Sequence, residues 1–365
     1  MMEHRAAVAE IDVSAFADNP AAAKQFNAVD LARGFVAVLI IAVHTRVFMQ
    51  IDETWDFVCT QIIGKIGVPY FFVTASYFFF RKINLSRLRH QPTGDEIKRL
   101  KYYISRLVKI YLIWSTIYLI PLFHECLTND YSFRWTAFAT VKGFAFGGIH
   151  YHLWYMTTLI VLILTVYMMF RHIKPRYVLV LAVVCAVFGL SMATYSVFIH
   201  SNLWSRLIDA DRFFHTISRV PLECIFVVLG ALLSQRRALP LNRTAALALF
   251  LLSLAAMTAE AFFLKSAGCD DRWGAYITMP FVAVFLFLFL ANVTIKDNRF
   301  IPHFRRVGLL MYLVHPLFIF LYKQMGGTNH VYMFFAVTFC SIVFTAAIIG
   351  LSQRVKRLHF LSYLY

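Results

Sequence analysis

Apolar runs about twenty residues long follow one another along nearly the whole chain, separated by short polar connections. Ten segments fit the pattern, at 26–48, 57–80, 102–123, 151–171, 176–199, 215–234, 244–265, 274–295, 304–323 and 331–352. A bilayer core takes about 20 mostly apolar residues per helix, so each segment is read as a spanning helix. The longest connections are 81–101 and 124–150. The fold expected is all-α, a polytopic bundle of about ten spanning helices in one domain over 26–352. Residues 1–25 and 353–365 are read as cytoplasmic tails. The first 25 residues carry acidic side chains and lack an apolar stretch, so no secretory signal is expected and the first span is expected to direct insertion.

Composition agrees. The chain has 365 residues, 60% hydrophobic and only 15% charged, against about a quarter charged in soluble domains. The formal charge of +16 raises nucleic acid as a partner, and its distribution argues against one. Of the 35 Lys and Arg, 22 fall on the tails and on the alternate connections that share their side, and eight fall on the opposite connections. The positive-inside rule then places both termini in the cytoplasm. The excess charge faces anionic lipid and any anionic cytoplasmic ligand.

The first span is the most informative. "VDLARGFVAVLIIAVH" (29–44) holds Asp30, Arg33 and His44 in apolar surroundings. Intramembrane ionisable groups are costly and default to functional hypotheses. Eleven residues make three helical turns plus a small angle, so Arg33 and His44 share one face about 16 Å apart. They cannot touch one reacting atom together, but they can hold the two ends of a long ligand. Asp30 is spaced to pair with Arg33. Arginine grips phosphate through its planar fork, and histidine exchanges a proton near neutral pH. A buried ion pair plus an interfacial histidine is the structural alternative.

Other stretches extend this reading. The Arg33-x10-His44 pair, "IGVPYFFVTASYFFF" (66–80), "RLVKIYLIW" (106–114), "HLWYMTTLI" (152–160) and "YLVHPLF" (312–318) occur in order. Together they resemble the acyltransferase 3 family of integral membrane acyltransferases. "WDFVCTQIIGKIGVPYFF" and "HYHLWYM" resemble a subgroup that includes the membrane domain of vancomycin-resistance serine racemases. No racemase domain is expected to follow, since the chain ends soon after the tenth segment.

The resemblance implies acyl transfer from cytoplasmic acyl-CoA, acetyl-CoA first among donors, to a hydroxyl or amine. The acceptor implied is a surface carbohydrate, an amino acid or an envelope precursor, reached from the outer face of a prokaryotic plasma membrane. Arg33, Arg106 and Lys109 would hold the donor phosphates by charge-assisted bonds. His44 would act as general base. Direct attack on the thioester needs no acyl-enzyme, though a relay through one stays open. Two departures from the family pattern stand out. Ala75-Ser76 replaces the usual Ser-Gly, and Lys109 replaces an arginine of an Arg-x-x-Arg motif, keeping charge but losing the fork.

Further candidates carry two readings each. Glu223 can orient His44 or pair with Arg219 four residues earlier. Lys65 can polarise a carbonyl, attract CoA, or snorkel. Glu260 reads as interfacial. His150 and His152 have a spacing that can bind metal, but nothing nearby in sequence completes a site, and no metal is expected. His152 can also line an acceptor entrance, and His315 reads as a core histidine or a family one. The glycines of "KGFAFGGIHYHLW" (142–154) mark a bend or a re-entrant turn. Six cysteines form no C-x-x-C pair, and Cys126 with Cys269 is the one disulfide considered. Assembly with further copies of the chain is compatible with the sequence. The rival functional class is a transporter of a small polar solute such as an amino acid.

Overall fold

The polar residues between apolar runs become helix ends. The computed structural model describes residues 26–90, 93–145, 147–214, 217–236, 238–269, 274–296 and 300–365; the expected N-terminal tail, 1–25, lies outside them. Asp52, Asn242 and Asn329 each accept a backbone N–H of the first turn that follows, and Thr93 forms a capping box with Glu96. Pro175 and Pro280 sit in first turns, where proline's missing N–H costs nothing.

The main helices are α1 (Asn27–Thr45), α2 (Glu53–Phe80), α3 (Gly94–Thr128), α4 (Phe133–Ala145), α5 (Trp154–His172), α6 (Pro175–Met192), α7 (Asn202–Phe214), α8 (Arg219–Ser234), α9 (Arg243–Ser266), α10 (Met279–Asn292), α11 (Ile301–Gln324) and α12 (His330–Arg354). Among the described residues eight helices are long and apolar enough to cross a membrane: α1, α2, α3, α5, α6, α9, α11 and α12. The other two expected spans correspond to α8, 16 residues, and α10, 14 residues. Each is shorter than a bilayer core requires alone. Chain on either side of α10 is not helical.

The helices are apolar outward as well as inward. Val180, Val183, Val184 and Val187 on α6, Leu251 and Leu252 on α9, and Phe335 and Phe339 on α12 are all exposed. Water does not tolerate such continuous apolar stripes; lipid does. Polar contacts are kept inside. Glu260, expected at the interface, is held by hydrogen bonds. It accepts the Ile277 and Thr278 N–H groups at 2.6 and 3.1 Å, the Thr278 hydroxyl at 2.6 Å, and the Tyr195 hydroxyl, which ties α9 to the start of α10.

α8 is the central strut, buried between α2, α5 and α6. Small residues allow it. A Cβ on Gly230 would stand 2.5 Å from the Val73 carbonyl oxygen, and Ser76 donates to the Val227 carbonyl at 2.5 Å. Ser76 is therefore spent on this contact. Helices in lipid associate through such close backbone approach. Gly230→Ala separates two effects. Helix propensity alone would stabilise by about 1 kcal/mol, whereas overpacking against a backbone oxygen costs about 1–3 kcal/mol. The expected outcome is a lower thermal midpoint in detergent; an unchanged or higher one would refute the close contact.

All six cysteines are free, Cys126 and Cys269 included. The C-terminal residues are packed. A 3-10 helix, Lys356–Leu364, returns against α12 and α3, where the Trp114 indole donates to the Leu364 carbonyl at 3.0 Å.

Candidate active site

The site begins with α1, because it carries Arg33 and His44 on one face. α11 lies close along it. A Cβ on Gly308 would stand 2.7 Å from the Arg33 carbonyl oxygen. Arg33 pairs with Asp30 at 3.1 Å, and its guanidinium lies over the Phe78 ring, 5.1 Å from the centroid.

At the Arg33 end a cavity of about 600 Å³ opens between α1, α2, α3, α5 and α11. Arg33, Lys82, Arg99, Arg106, Arg305 and Arg306 line it together with Tyr365, and no Asp or Glu side chain is among the lining residues, although Asp30, paired with Arg33, also acts on Arg305. Six cations facing one space repel one another. The Lys82 ammonium is pushed below the usual lysine range, first by burial and then by Arg99, Arg305 and Arg81. A polyanion entering the cavity relieves that repulsion and gains charge-assisted hydrogen bonds. The deep wall is aromatic, made of Phe71, Tyr155 and Tyr312; the Tyr312 ring lies 6.5 and 5.6 Å from the other two.

Beyond that wall four histidines gather. His44 stacks on His315 with centroids 5.2 Å apart. His315 lies 5.7 Å from His152. The Nδ1 atoms of His152 and His150 are 3.1 Å apart, a hydrogen bond in which one ring donates and the other accepts. Tyr151 bridges the set, 4.9 Å from His44 and 4.3 Å from His150. The Tyr312 hydroxyl donates to the His152 carbonyl, and the Tyr118 ring stacks on His150 at 4.7 Å.

The local sequence explains the arrangement. Gly148 sits at φ +90°, and a Cβ there would stand 2.5 Å from that of Leu153; this tight turn, at the bend expected in 142–154, delivers His150 and His152. On α11, His315 Nδ1 lies 3.2 Å from the Met311 carbonyl. A carbonyl only accepts, so Nδ1 carries the proton and Nε2 keeps its lone pair. The Nε2 atoms of His315 and His152 are buried with no hydrogen-bond partner. Buried polar atoms are rarely left so. Among the described residues no group of His, Cys, Asp and Glu is arranged to hold a metal ion.

Lys65 approaches His44, and Glu223 approaches Lys65. The end of α2 that faces α1 is irregular, a π turn over Val58–Ile63 followed by a 3-10 turn over Gly64–Ile66, and such bulges accompany functional sites. A Cβ on Gly64 would stand 2.0 Å from the Val43 side chain, so the bulge sits directly against α1 and carries Lys65. Lys65 is within electrostatic reach of both His44 and Glu223. Glu223 is 7% exposed, and its Oε2 lacks a hydrogen-bond partner. The Arg219 guanidinium, lying on the Trp154 ring at 4.6 Å, is also within reach of Glu223.

At the His44 end a second cavity, about 310 Å³, is lined by His124, Glu125, Thr128, Asn129, His150 and Gln324 with apolar neighbours. Arg106 of the first cavity and Glu125 of the second are both on α3. Nineteen residues apart, they are separated by about 28 Å, close to the thickness of a bilayer core, about 30 Å.

The acyltransferase 3 family model, described as an acyltransferase domain, matches residues 26–352. The chain belongs to this family of membrane acyltransferases. It is a polytopic plasma-membrane protein. An amino-acid racemase of Enterococcus faecalis is 26% identical over 345 residues, covering 90% of this chain and 47% of the racemase. A serine/alanine racemase of Enterococcus gallinarum is 25% identical over 302 residues, covering 79% of this chain and 40% of that protein. The chain thus spans less than half the length of these curated relatives. No solved structure matches it.

Of the expected acyltransferase residues, Arg33 and Arg106 meet at the large cavity. Lys109 is exposed on α3 and does not line it. Lys65 lies instead within electrostatic reach of His44, and Glu223 within reach of Lys65 and Arg219. Sequence reasoning missed Lys82, Arg99, Arg305 and Arg306 as cavity residues, because each stands where a spanning helix meets a connection and looks like topology charge. The adjacent Arg305-Arg306 pair, at the start of an apolar run, was the available signal.

Proposed function

We propose that this family member moves an acyl group, acetyl in the simplest case, from cytoplasmic acyl-CoA to a hydroxyl or amine of an acceptor reaching the site from the opposite membrane face. The single observation that carries the reading is the cavity lined by six cationic side chains and no Asp or Glu, abutting a histidine cluster through a thin aromatic wall. CoA is a polyanion with a long neutral arm ending in a thioester. Its phosphates suit the cations, and its arm suits the distance along α1 from Arg33 to His44. The lysine and arginine bias of the connections supports the cation cavity facing the cytoplasm, with both termini there.

In the step proposed, His44 takes the proton of the acceptor as its oxygen or nitrogen attacks the thioester carbon. The new C–O or C–N bond forms, the C–S bond breaks, and the CoA thiolate leaves, taking up the proton from the imidazolium or from water. Glu223 steadies the imidazolium, as the third group of a triad does. Lys65 supports the negative charge developing on the carbonyl oxygen. Arg33 and Arg106, with Lys82, Arg99, Arg305 and Arg306, hold the donor; Lys109 adds to the field from the outer side of α3. Surface carbohydrates, envelope precursors and amino acids are the acceptors to test. The racemase relatives are a reason to include amino acids.

The test is release of CoA thiol from acetyl-CoA by the purified, detergent-solubilised protein, supplied with pooled envelope extracts and amino acids. Release that depends on an added component is the expected result. Folded protein that releases none with several acyl-CoA donors, yet moves an amino acid into proteoliposomes without CoA, would establish the transporter reading instead.

A further inference from the structure

The cation cavity stops at its aromatic wall, and no histidine is among its lining residues. Tyr312 belongs to both sides. It lines the cavity, and its ring lies 5.5 Å from that of His152 and 6.2 Å from that of His315. It is 3% exposed. An extended group passing from Arg33 toward His44 therefore meets Tyr312.

Three features set this ring apart from ordinary packing. Its hydroxyl is fastened across the wall, to the His152 carbonyl, and His152 stands in the non-helical turn that follows Gly148. Its own helix is weakened next to it. Pro316 lies inside α11, four residues on, so the Tyr312 carbonyl receives no N–H from that turn and faces the proline ring instead. The adjacent carbonyl, of Leu313, takes the Tyr118 hydroxyl at 2.7 Å. The partner helix is interrupted where it gives that bond. Tyr118 is a turn between the helical stretches Gly94–Ile117 and Leu119–Thr128 of α3, and Pro121 offers the Ile117 carbonyl no donor. Two proline-broken helices thus meet beside the wall. Spanning helices kink at such places, with neighbouring side chains bonding the backbone groups around the break.

We propose that Tyr312 is a gate, hinged at Pro316 and closed in this structure by its bond to the His152 carbonyl, between the cation cavity and His44. That the group passing it is a thioester arm rests on the acyl-transfer reading; the gate itself does not. While closed, it keeps water of the cation cavity away from the histidines. In the acyl-transfer reading this limits hydrolysis of the thioester.

The reporter is a thiol placed beyond the wall by His44→Cys. It is labelled with sulfonatoethyl methanethiosulfonate in inverted membrane vesicles, which present the lysine- and arginine-rich face outward. The reagent is anionic, so the cavity attracts it, and it does not cross lipid. Peptide mass mapping separates residue 44 from the six native cysteines. Slow labelling is expected in the reporter alone. Adding Tyr312→Phe keeps the ring and removes the latch, and should speed labelling about threefold to tenfold, the worth of one neutral hydrogen bond. Tyr312→Ala removes the ring and should speed it further. Pro316→Ala restores the missing N–H and should slow it. A rate that Tyr312→Phe leaves unchanged means a fixed wall, and one that Pro316→Ala leaves unchanged or raises means no hinge; either overturns the proposal. A CoA pyridyl disulfide is run beside the first reagent. The introduced thiolate attacks its CoA sulfur, forming a mixed disulfide and releasing pyridine-2-thione. Modification that follows the same order of variants supports both the gate and the donor path. If only the small reagent follows that order, the donor reading fails and the gate stands. If the CoA disulfide modifies residue 44 at one rate in every variant, the gate fails and the donor reading stands.

Discussion

Replacing His44 by alanine is expected to lower kcat for acyl transfer by about a hundredfold to ten-thousandfold, the usual contribution of general acid–base catalysis. Donor affinity should move little, because the cations that line the donor cavity lie on the far side of the Phe71–Tyr155–Tyr312 wall. A kcat loss without a KM change is the signature of a group needed only in the transition state. The control is His315→Ala. That ring stacks on His44 and has its own free lone pair, so it is the obvious competitor for the role of base. If His44 is the base, His315→Ala should cost less than His44→Ala, and added imidazole should restore part of the rate only in the latter. The reverse order would move the base to α11 and leave His44 as its support. Equal wild-type rates in both variants would remove acid–base chemistry from the cluster altogether.

The parts of this site that were legible in the sequence lie within single helices. Arg33, Asp30 and His44 are related by helical repeat alone, and the 3.1 Å ion pair between the first two is what an i, i+3 spacing allows. The relation of Arg33 to Arg106 crosses between helices, and only the family resemblance suggested it. His150, His152 and His315 each had an ordinary reading by itself. What makes them a cluster is tertiary: the turn at Gly148 and the packing of α11 on α1. Sequence periodicity has no access to such meetings. The two short helices failed the twenty-residue expectation for a related reason. Apolar runs show where chain can be buried, not how it is coiled. α10 starts after a non-helical stretch whose closing turn is pinned by Glu260, and α8 is sheltered by neighbours rather than by lipid. The bulge in α2 was missed because an apolar run was read as regular helix, although Val58, Thr60, Ile62, Ile63 and Gly64 are weak helix formers and Gly64 packs directly against Val43.

Arg33→Ala is expected to act in the opposite way to His44→Ala. A guanidinium that donates to phosphate contributes as a charge-assisted hydrogen bond, about 1.5–3 kcal/mol, so KM for acetyl-CoA should rise about tenfold to a hundredfold with kcat changed far less. Arg33→Lys should fall between, because the charge survives and the bidentate fork does not. One complication is built into the site. Asp30 loses its ion-pair partner and keeps only the more distant field of Arg305, and a half-buried carboxylate stripped of its pair destabilises the fold. The double variant Asp30→Asn, Arg33→Ala removes that complication. If Arg33 binds donor, the double variant should recover thermal stability yet keep the raised KM. If Arg33 is only half of a structural pair, KM should return to the wild-type value along with stability. Salt provides an independent reading, since phosphate contacts weaken as ionic strength rises. Wild-type KM for acetyl-CoA should climb with added salt more steeply than that of the double variant. Parallel slopes would mean that the cation at position 33 is not among those that meet the donor, and the other five cations of the cavity would have to hold it without the residue that shares a helix face with His44.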